Sequence, residues 1–297
     1  MLKPLAALVF TIFMWGAAPV FVRSFSLAIG PSDAVFIRMF SVALMAIPFL
    51  PFCGWRIARK DWPRLLLVSW VGIFGYFWGS IYGFSNLSAG VGGILFATQP
   101  LIIAVMAAAL GIQRLTTATL IGFVVSFAGI IFLFADDFAT LSNSSKALWG
   151  AAQIFMCCVA FSVNVVLSPP LVKEYGALRM TILTMILAAV PALPFFRMGI
   201  IEVVQGFDLF AWSTLIYLGL IGTIIAVITW NYAVGHVQPT TAGASLYFIP
   251  LLAIITGYIV LNEPISLRMI IGGLIVMAGV AIAQFGPQIW NKHYAKS

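Results

Sequence analysis

Long apolar runs separated by short polar links recur from one end of the chain to the other. A helix that crosses a bilayer needs roughly 20 apolar residues, and continuous runs favour helices over the alternating strands of a membrane β-barrel. Ten runs fit, with approximate bounds Leu5–Val22, Ala34–Phe52, Leu65–Phe84, Gly90–Leu110, Thr117–Phe134, Ala147–Leu167, Met180–Phe196, Leu209–Val234, Ala242–Leu261 and Met269–Phe285. The pattern predicts an all-α polytopic membrane protein with ten transmembrane helices.

The first run has the length of a signal peptide but not its other features. Only Lys3 precedes it, no clear small-x-small cleavage site follows, and the first polar stop is Arg23. We therefore interpret it as a retained transmembrane helix.

Composition narrows the function classes. Hydrophobic residues make up 63% of the 297 residues and charged residues 8%, whereas soluble domains carry about 25% charged residues. This excludes a soluble enzyme and a disordered chain. Cys53, Cys157 and Cys158 stand in apolar surroundings, which favours neither a disulfide framework nor a metal site. We predict no catalytic residues, no metal and no cofactor.

The distribution of lysine and arginine among the links predicts the orientation. With the N-terminus in the cytoplasm, the inner side carries Lys3, Arg56, Arg59, Lys60, Arg64, Arg114, Lys173, Arg179, Lys292 and Lys296, and the outer side carries Arg23, Arg38, Lys146, Arg197 and Arg268. Because cytoplasmic links carry the excess of positive charge, both termini are predicted to be cytoplasmic. The net charge of +7 is then a topology signal and indicates no nucleic-acid partner.

The chain also resembles itself at an offset of about 150 residues. Trp62 aligns with Trp212, Tyr82 with Tyr232, and Pro100 with Pro250, among further glycine and leucine matches. This predicts two five-helix repeats, 1–137 and 138–297, in one integrated membrane domain. Because five is odd, the halves must be inverted relative to each other, as in secondary transporters that bind substrate near the midplane. The alternative is an old duplication without a transport role.

A family resemblance follows from the end of each half, where a helix with a mid-span proline, a short polar link and a Gly-rich helix succeed one another. The first copy is Ala89 through Pro100 to Leu110, Gln113-Arg114, then Leu120 to Gly129; the second is Thr241 through Pro250 to Leu261, Asn262-Glu263-Pro264, then Ile271 to Gly279. With Trp15-Gly16 in the first helix, the chain resembles the EamA-type branch of the drug/metabolite transporter superfamily over nearly its whole length.

The resemblance implies ten helices in two inverted halves. The mid-span aromatics look most like the bacterial YddG-type exporters of aromatic and other neutral amino acids, which implies a multi-pass protein of the bacterial inner membrane. The family's acidic residue at the end of the fourth helix of each half is matched by Glu263, but the first half has Gln113. That position therefore has no obligatory charged role in both halves.

Polar and aromatic side chains placed mid-span are the candidate substrate contacts, because such groups usually face another helix or a cavity. The predicted substrate-binding residues are Trp15, Trp78, Tyr82, Gln99, Phe161, Asn164, Ser245, Tyr247 and Arg38, and helix kinks are predicted at Pro19, Pro100 and Pro250. The structural alternatives are interface anchoring for the aromatics, helix bridging for the amides and shaping of the bundle for the prolines. Trp70, Tyr217, Trp230 and Tyr232 are interpreted as anchors or packing groups.

Arg38 is the one basic residue clearly within a span, about one turn from the outer end. A charge at mid-bilayer costs about 2.5–3.5 kcal/mol on insertion scales, so the sequence predicts that Arg38 extends outward to the interface. Contact with a substrate carboxylate is the alternative.

Acidic residues are missing from the middle of every span, whereas proton-coupled transporters usually keep an intramembrane carboxylate or histidine. We predict alternating-access transport of neutral or zwitterionic metabolites, such as amino acids, through an uncharged aromatic cavity without obligatory proton coupling. The alternatives are a proton-coupled exporter of drugs, nucleosides or other metabolites, and a non-transport scaffold. A channel lacks a filter sequence, and an enzyme lacks a plausible catalytic set. The predicted partners are the lipid bilayer and a small-molecule substrate, and the protein is a monomer or a homodimer. Helices five and ten are read as structural or as a dimer face.

Overall fold

The computed structural model describes residues 2–112, 114–134, 145–234, 236, 245–246 and 248–294, and these residues contain helices and no strands. The first half contains α1 (Leu2–Ile29), α2 (Pro31–Cys53), α3 (Arg59–Asn86), α4 (Ala89–Ala109) and α5 (Thr117–Leu133). The second half contains α6 (Ser145–Leu167), α7 (Ala177–Phe195), α8 (Leu209–Ile216 continuing through Tyr217–Ile225 to Ala226–Val234), α9 (Phe248–Leu261) and α10 (Leu267–Tyr294). Short helices Pro169–Tyr175 and Gly199–Gln205 lie in links. The predicted all-α class is confirmed for these residues.

Seven of the described helices are long and apolar enough to cross a membrane, namely α1 to α4 and α6 to α8. The described apolar parts of α5, α9 and α10 are shorter, at Thr117–Leu133, Phe248–Leu261 and Leu267–Ala283. Large apolar side chains on the outside of the bundle, such as Val124 and Ile259, are exposed as expected for contact with lipid. The fold is consistent with a polytopic membrane protein.

The first helix is longer than the hydropathy pattern predicts. The pattern ends the span at Val22 because Arg23 is charged, whereas α1 continues to Ile29. Arg23 remains in the helix because Glu263 and the carbonyl groups of Phe84 and Leu87 surround its guanidinium. The charge of Arg23 therefore does not predict where α1 ends.

Two helices contain π-helical segments, Leu67–Phe74 in α3 and Tyr217–Ile225 in α8. Residues 67 and 217 are 150 positions apart, which is the offset of the sequence repeat. Segments of this kind are rare and concentrate at functional sites, because they interrupt the regular hydrogen-bond register. Hydropathy carries no signal for them.

Small residues bring α5 and α10 into backbone contact. A Cβ on Gly279 would lie 2.5 Å from the Ser126 nitrogen and 2.6 Å from the Gly122 carbonyl oxygen. The Ser126 hydroxyl donates to the Val276 carbonyl at 3.1 Å. Glycine is required at such contacts because any side chain would force the helices apart. Of the two readings of these helices, the structure supports the structural one for their glycine faces.

The proline positions differ from one another. Pro19 lies inside α1, which runs unbroken through it. A turn at residues 97–98 divides α4 into Ala89–Phe96 and Gln99–Ala109, directly before Pro100. Pro250 is the third residue of α9, within the first turn, where its missing N–H is not needed.

Polar contacts tie the links together on both sides of the bundle. We call the side on which α1 begins the proximal side and the opposite side, with Gly30, the distal side. On the distal side Arg197 donates two hydrogen bonds to the buried carboxylate of Asp33, one of them at 2.8 Å. On the proximal side the Tyr175 hydroxyl donates to Asp61 at 2.7 Å, and this hydrogen bond raises the pKa of Tyr175. Both contacts join the first half of the chain to the second.

Candidate functional site

Arg38 on α2 is buried inside the bundle and does not extend to the interface. Only 5% of its surface is exposed, and its guanidinium carbon lies 4.4 Å from the centre of the Phe77 ring. The Nε and Nη1 atoms are buried without a hydrogen-bond partner. The predicted outward extension of Arg38 is therefore wrong, because a cation–π contact inside the bundle holds the side chain there. The surroundings of Arg38 therefore contain a positive charge, which the predicted uncharged aromatic cavity does not include.

Aromatic side chains from several helices lie near this cation or pack on rings that lie near it. Tyr76, Tyr217 and Cys157 lie near enough to interact electrostatically with Arg38. The Tyr76 ring centre is 5.2 Å from that of Phe161 and 6.1 Å from that of Phe96. We call Arg38, Tyr76, Phe77, Phe96, Phe161 and Tyr217 the Arg38 cluster. It draws on α2, α3, α4, α6 and α8, so it joins both halves of the chain.

Acidic side chains that the structure describes have contacts elsewhere. Three ion pairs occur among the described residues: Asp33 with Arg197, Glu174 with Lys60, and Glu263 with Arg23. Asp61 accepts from Tyr175, and Asp208 caps the helix at Ala211. The Arg38 cluster therefore contains a positive charge and no described carboxylate.

Trp15 connects α1 to α8 at the second π-helical segment. Its indole N–H donates to the Gly222 carbonyl at 3.2 Å, and its ring centre lies 5.2 Å from that of Trp230. The Tyr217 hydroxyl donates to the carbonyl of Met14, the residue before Trp15. Of the residues read as anchors or packing groups, Tyr217 and Trp230 thus pack within the bundle, while Trp70 and Tyr232 are exposed.

Trp78 and Tyr82 form a second aromatic pair, with ring centres 5.3 Å apart. The Tyr82 and Ser32 hydroxyl oxygens lie 2.8 Å apart, which places Tyr82 on the distal side. Ser32 also lines a cavity of about 470 Å³ between residues 29–33 and 194–197. None of the predicted substrate-binding residues lines this cavity.

The remaining predicted residues are spread over α4, α6 and the start of α9. Gln99 is half-buried and begins the second part of α4. Asn164 lies against the first π-helical segment, since a Cβ on Gly72 would be 3.0 Å from the Asn164 nitrogen. Ser245 is half-buried, and Tyr247 lies outside the described residues. Among the predicted residues, the structure thus links Arg38 to Phe161 through Tyr76, and it pairs Trp78 with Tyr82.

Sequence reasoning missed Tyr76, Phe77 and Phe96, and it placed Tyr217 outside the site. Tyr76 and Phe77 directly precede Trp78, so a mid-span run of three aromatics was the available signal. Their importance arises from the position of Arg38, which only the packing of α2 against its neighbours determines.

Comparison with known proteins relates the chain to membrane transporters. The model of the EamA-like transporter family matches residues 2–135 and 148–284. An uncharacterized transporter of Archaeoglobus fulgidus is 24% identical, over 95% of this chain and 98% of the relative. A protein of Streptantibioticus cattleyicolor named a probable terminal-alkyne amino-acid exporter is 27% identical, over 94% of this chain and 93% of the relative. A solved crystal structure with 18% identity matches with a TM-score of 0.61, over 94% of this chain and 96% of that one, and this supports the fold alone.

Proposed function

The chain belongs to the EamA-like transporter family, and from that membership we propose that it carries small neutral or zwitterionic metabolites across a bacterial inner membrane. Amino acids, including aromatic ones, are the proposed substrates, and alternating access between two inverted halves is the proposed mechanism. The Arg38 cluster carries the proposal, because it gathers aromatic rings and one unpaired cation from both halves within the membrane-spanning part.

Three observations support ten spans in two inverted repeats. The π-helical segments of α3 and α8 start 150 residues apart. Ser126 contacts Val276, which is its own counterpart at that offset, while Gly122 contacts Gly279 and Gly129 contacts Gly272. Two antiparallel helices that touch at equivalent residues are expected beside a two-fold axis in the membrane plane.

The third observation is a pair of reciprocal contacts between the two halves. Trp15 of α1 bonds to Gly222 of α8, and Asn164 of α6 lies against Gly72 of α3. Gly72 and Gly222 are again 150 residues apart, so the first helix of each half meets the third helix of the other half at the same place. The two stretches that match the family model are also of nearly equal length.

The chemistry of the cluster supports the substrate class. Aromatic faces stack on flat or apolar side chains and attract an ammonium group. The relative from S. cattleyicolor that is named a probable terminal-alkyne amino-acid exporter is 27% identical, and this name is in keeping with an amino-acid substrate. The excess of lysine and arginine on the proximal side supports cytoplasmic termini.

Transport without obligatory proton coupling is proposed because acidic residues occur only at helix ends and in links. Of the two histidines, His236 is exposed just beyond the end of α8, and His293 belongs to the last turn of α10. A proton carrier within the membrane is usually a buried carboxylate or histidine. The proposed modes are facilitated diffusion and exchange.

Counterflow in proteoliposomes tests this function. Vesicles loaded with unlabelled phenylalanine should accumulate labelled phenylalanine transiently and saturably at equal pH on both sides. Flux that does not saturate would indicate a channel, and absence of flux for every amino acid and nucleoside tested would indicate a scaffold. Uphill uptake driven by a pH gradient alone would refute the proposed coupling.

A further inference from the structure

We propose that Arg38 forms a carboxylate-binding subsite that selects solutes carrying a carboxylate group. This inference rests on the proposed function, and it adds a selection rule to it: amines without a carboxylate should be rejected. The observation behind it is a guanidinium that is 95% buried and has two nitrogens without an acceptor.

A buried cation without a partner is unfavourable, because it has lost water and gained no counter-charge. Phe77 compensates part of this cost through its ring face, 4.4 Å from the guanidinium carbon. A ring face supplies no oxygen or nitrogen acceptor, however, so the N–H groups on Nε and Nη1 remain unsatisfied. The Arg38 side chain therefore has a cation–π contact with Phe77 and two nitrogens without an acceptor.

The described part of the chain supplies no carboxylate to these two nitrogens. Asp33 is nearest in sequence, five residues before Arg38 on α2, but both of its oxygens accept from Arg197 on the distal side. Glu263 pairs with Arg23 and accepts from the Ala89 N–H. The hydroxyl of Tyr217 is committed to the Met14 carbonyl.

A carboxylate supplies the acceptors that these two nitrogens lack. Its oxygens accept charge-assisted hydrogen bonds from guanidinium N–H groups, and the pair of charges is strengthened in a low-dielectric site. An amino acid would bring its own positive charge as well, so the loaded site would carry only the one charge that Arg38 had before. The rings of Tyr76 and Phe161, with centres 5.2 Å apart, pack on each other and offer an aromatic surface on which an aromatic side chain would stack.

The test uses the competition of four unlabelled compounds with labelled phenylalanine in counterflow. These are phenylalanine, 3-phenylpropionate (carboxylate without amine), phenethylamine (amine without carboxylate) and phenylalaninamide. For the wild-type protein, the first two should compete and the last two should be at least about tenfold weaker, as expected from loss of a charge-assisted hydrogen bond. Equal competition by phenethylamine and 3-phenylpropionate would overturn the proposal without any variant being made.

Variants then assign the selectivity to Arg38. Arg38→Gln should weaken phenylalanine and 3-phenylpropionate by about tenfold to a hundredfold and leave phenethylamine unchanged. Arg38→Lys should retain part of the preference, because it keeps the charge and loses the fork. Arg56→Gln, which removes an exposed arginine from the proximal link, should behave as wild type. Undiminished preference for carboxylates in Arg38→Gln would contradict the assignment.

A second readout separates this inference from the proposed function. The melting temperature of the detergent-solubilised protein should rise with 3-phenylpropionate and not with phenethylamine, whether or not flux occurs. Counterflow of phenethylamine alone would leave the protein a carrier and refute the subsite. A rise with 3-phenylpropionate but no flux of any compound would support the subsite and refute transport of these solutes. An equal rise with sodium chloride, compared with sorbitol at the same osmolality, would make the site one for inorganic anions and overturn the proposal.

Discussion

A methyl group added to Gly279 tests whether α5 and α10 meet backbone to backbone. Gly279→Ala would place a Cβ 2.5 Å from the Ser126 nitrogen and 2.6 Å from the Gly122 carbonyl oxygen, where ordinary van der Waals contact begins at 3.4 Å. These neighbours are main-chain atoms, which cannot rotate away as the tip of a side chain does. The two close-packed helices must therefore separate by about 1 Å.

The structure sets the expected size of the effect. Overpacking a filled interface costs about 1–3 kcal/mol. The hydrogen bond from Ser126 to the Val276 carbonyl, now 3.1 Å, would lengthen beyond bonding distance and cost about 0.6–1.7 kcal/mol more. The higher helix propensity of alanine offsets about 1 kcal/mol. The losses dominate, so the free energy of unfolding should fall by about 0.6–3.7 kcal/mol.

Unfolding by SDS in mixed micelles, followed by circular dichroism, measures this change. The effect should be graded, because a Cβ on Gly129 would lie 2.9 Å from the Val276 nitrogen and one on Gly272 would lie 3.3 Å from the Gly129 carbonyl oxygen. The expected order of loss is Gly279→Ala, then Gly129→Ala, then Gly272→Ala. Gly199→Ala is the matched control, since only the flexible Arg197 side chain comes as near as 3.4 Å. Wild-type stability in Gly279→Ala, or a reversed order, would refute the close approach.

Three further predictions concern the contacts between the halves and the aromatic residues. Glu263→Gln should lower the free energy of unfolding by about 1.5–3 kcal/mol in the same SDS assay, because the charge beside Arg23 is lost while an oxygen remains; an unchanged value would remove the ion pair from the account. Trp15→Phe keeps a ring but loses the indole N–H, so it should cost about 0.5–1.5 kcal/mol, and a larger loss would point to packing instead. Trp78→Ala and Tyr82→Ala, like Trp15→Ala, should reduce counterflow by about twofold to tenfold with unchanged insertion, measured against the amount of protein in the vesicles; full activity in all three would exclude these rings from the substrate path.

Hydropathy predicted the spanning helices because lipid imposes the same requirement on every span. It ended α1 at Val22, seven residues early, because the partner of Arg23 is Glu263, far along the chain. The same limitation explains the error at Arg38. The cost of inserting a charge into the bilayer favours an arginine side chain that extends to the membrane interface. The Arg38 side chain lies inside the bundle instead, because it packs against Phe77. Charged side chains in membranes therefore require tertiary information that a local pattern does not hold.

The sequence predicted the aromatic character of the candidate site better than it predicted which residues form it. Mid-span aromatics indicated an aromatic site, and the four-residue spacing of Trp78 and Tyr82 paired those rings. The spacing does not indicate how deep the rings lie in the membrane. It therefore did not predict that Tyr82 lies on the distal side, beside Ser32. Tyr217 was interpreted as an anchor in the sequence because its electrostatic interaction with Arg38 joins the second half of the chain to the first.

An experimental structure with a transported amino acid bound would test the central claim most directly. The account predicts the carboxylate within hydrogen-bonding distance of the Arg38 guanidinium, about 2.7–2.9 Å, with the side chain among the rings of the Arg38 cluster and the two halves inverted around it. A ligand bound away from Arg38, or two halves that face the same way, would contradict it.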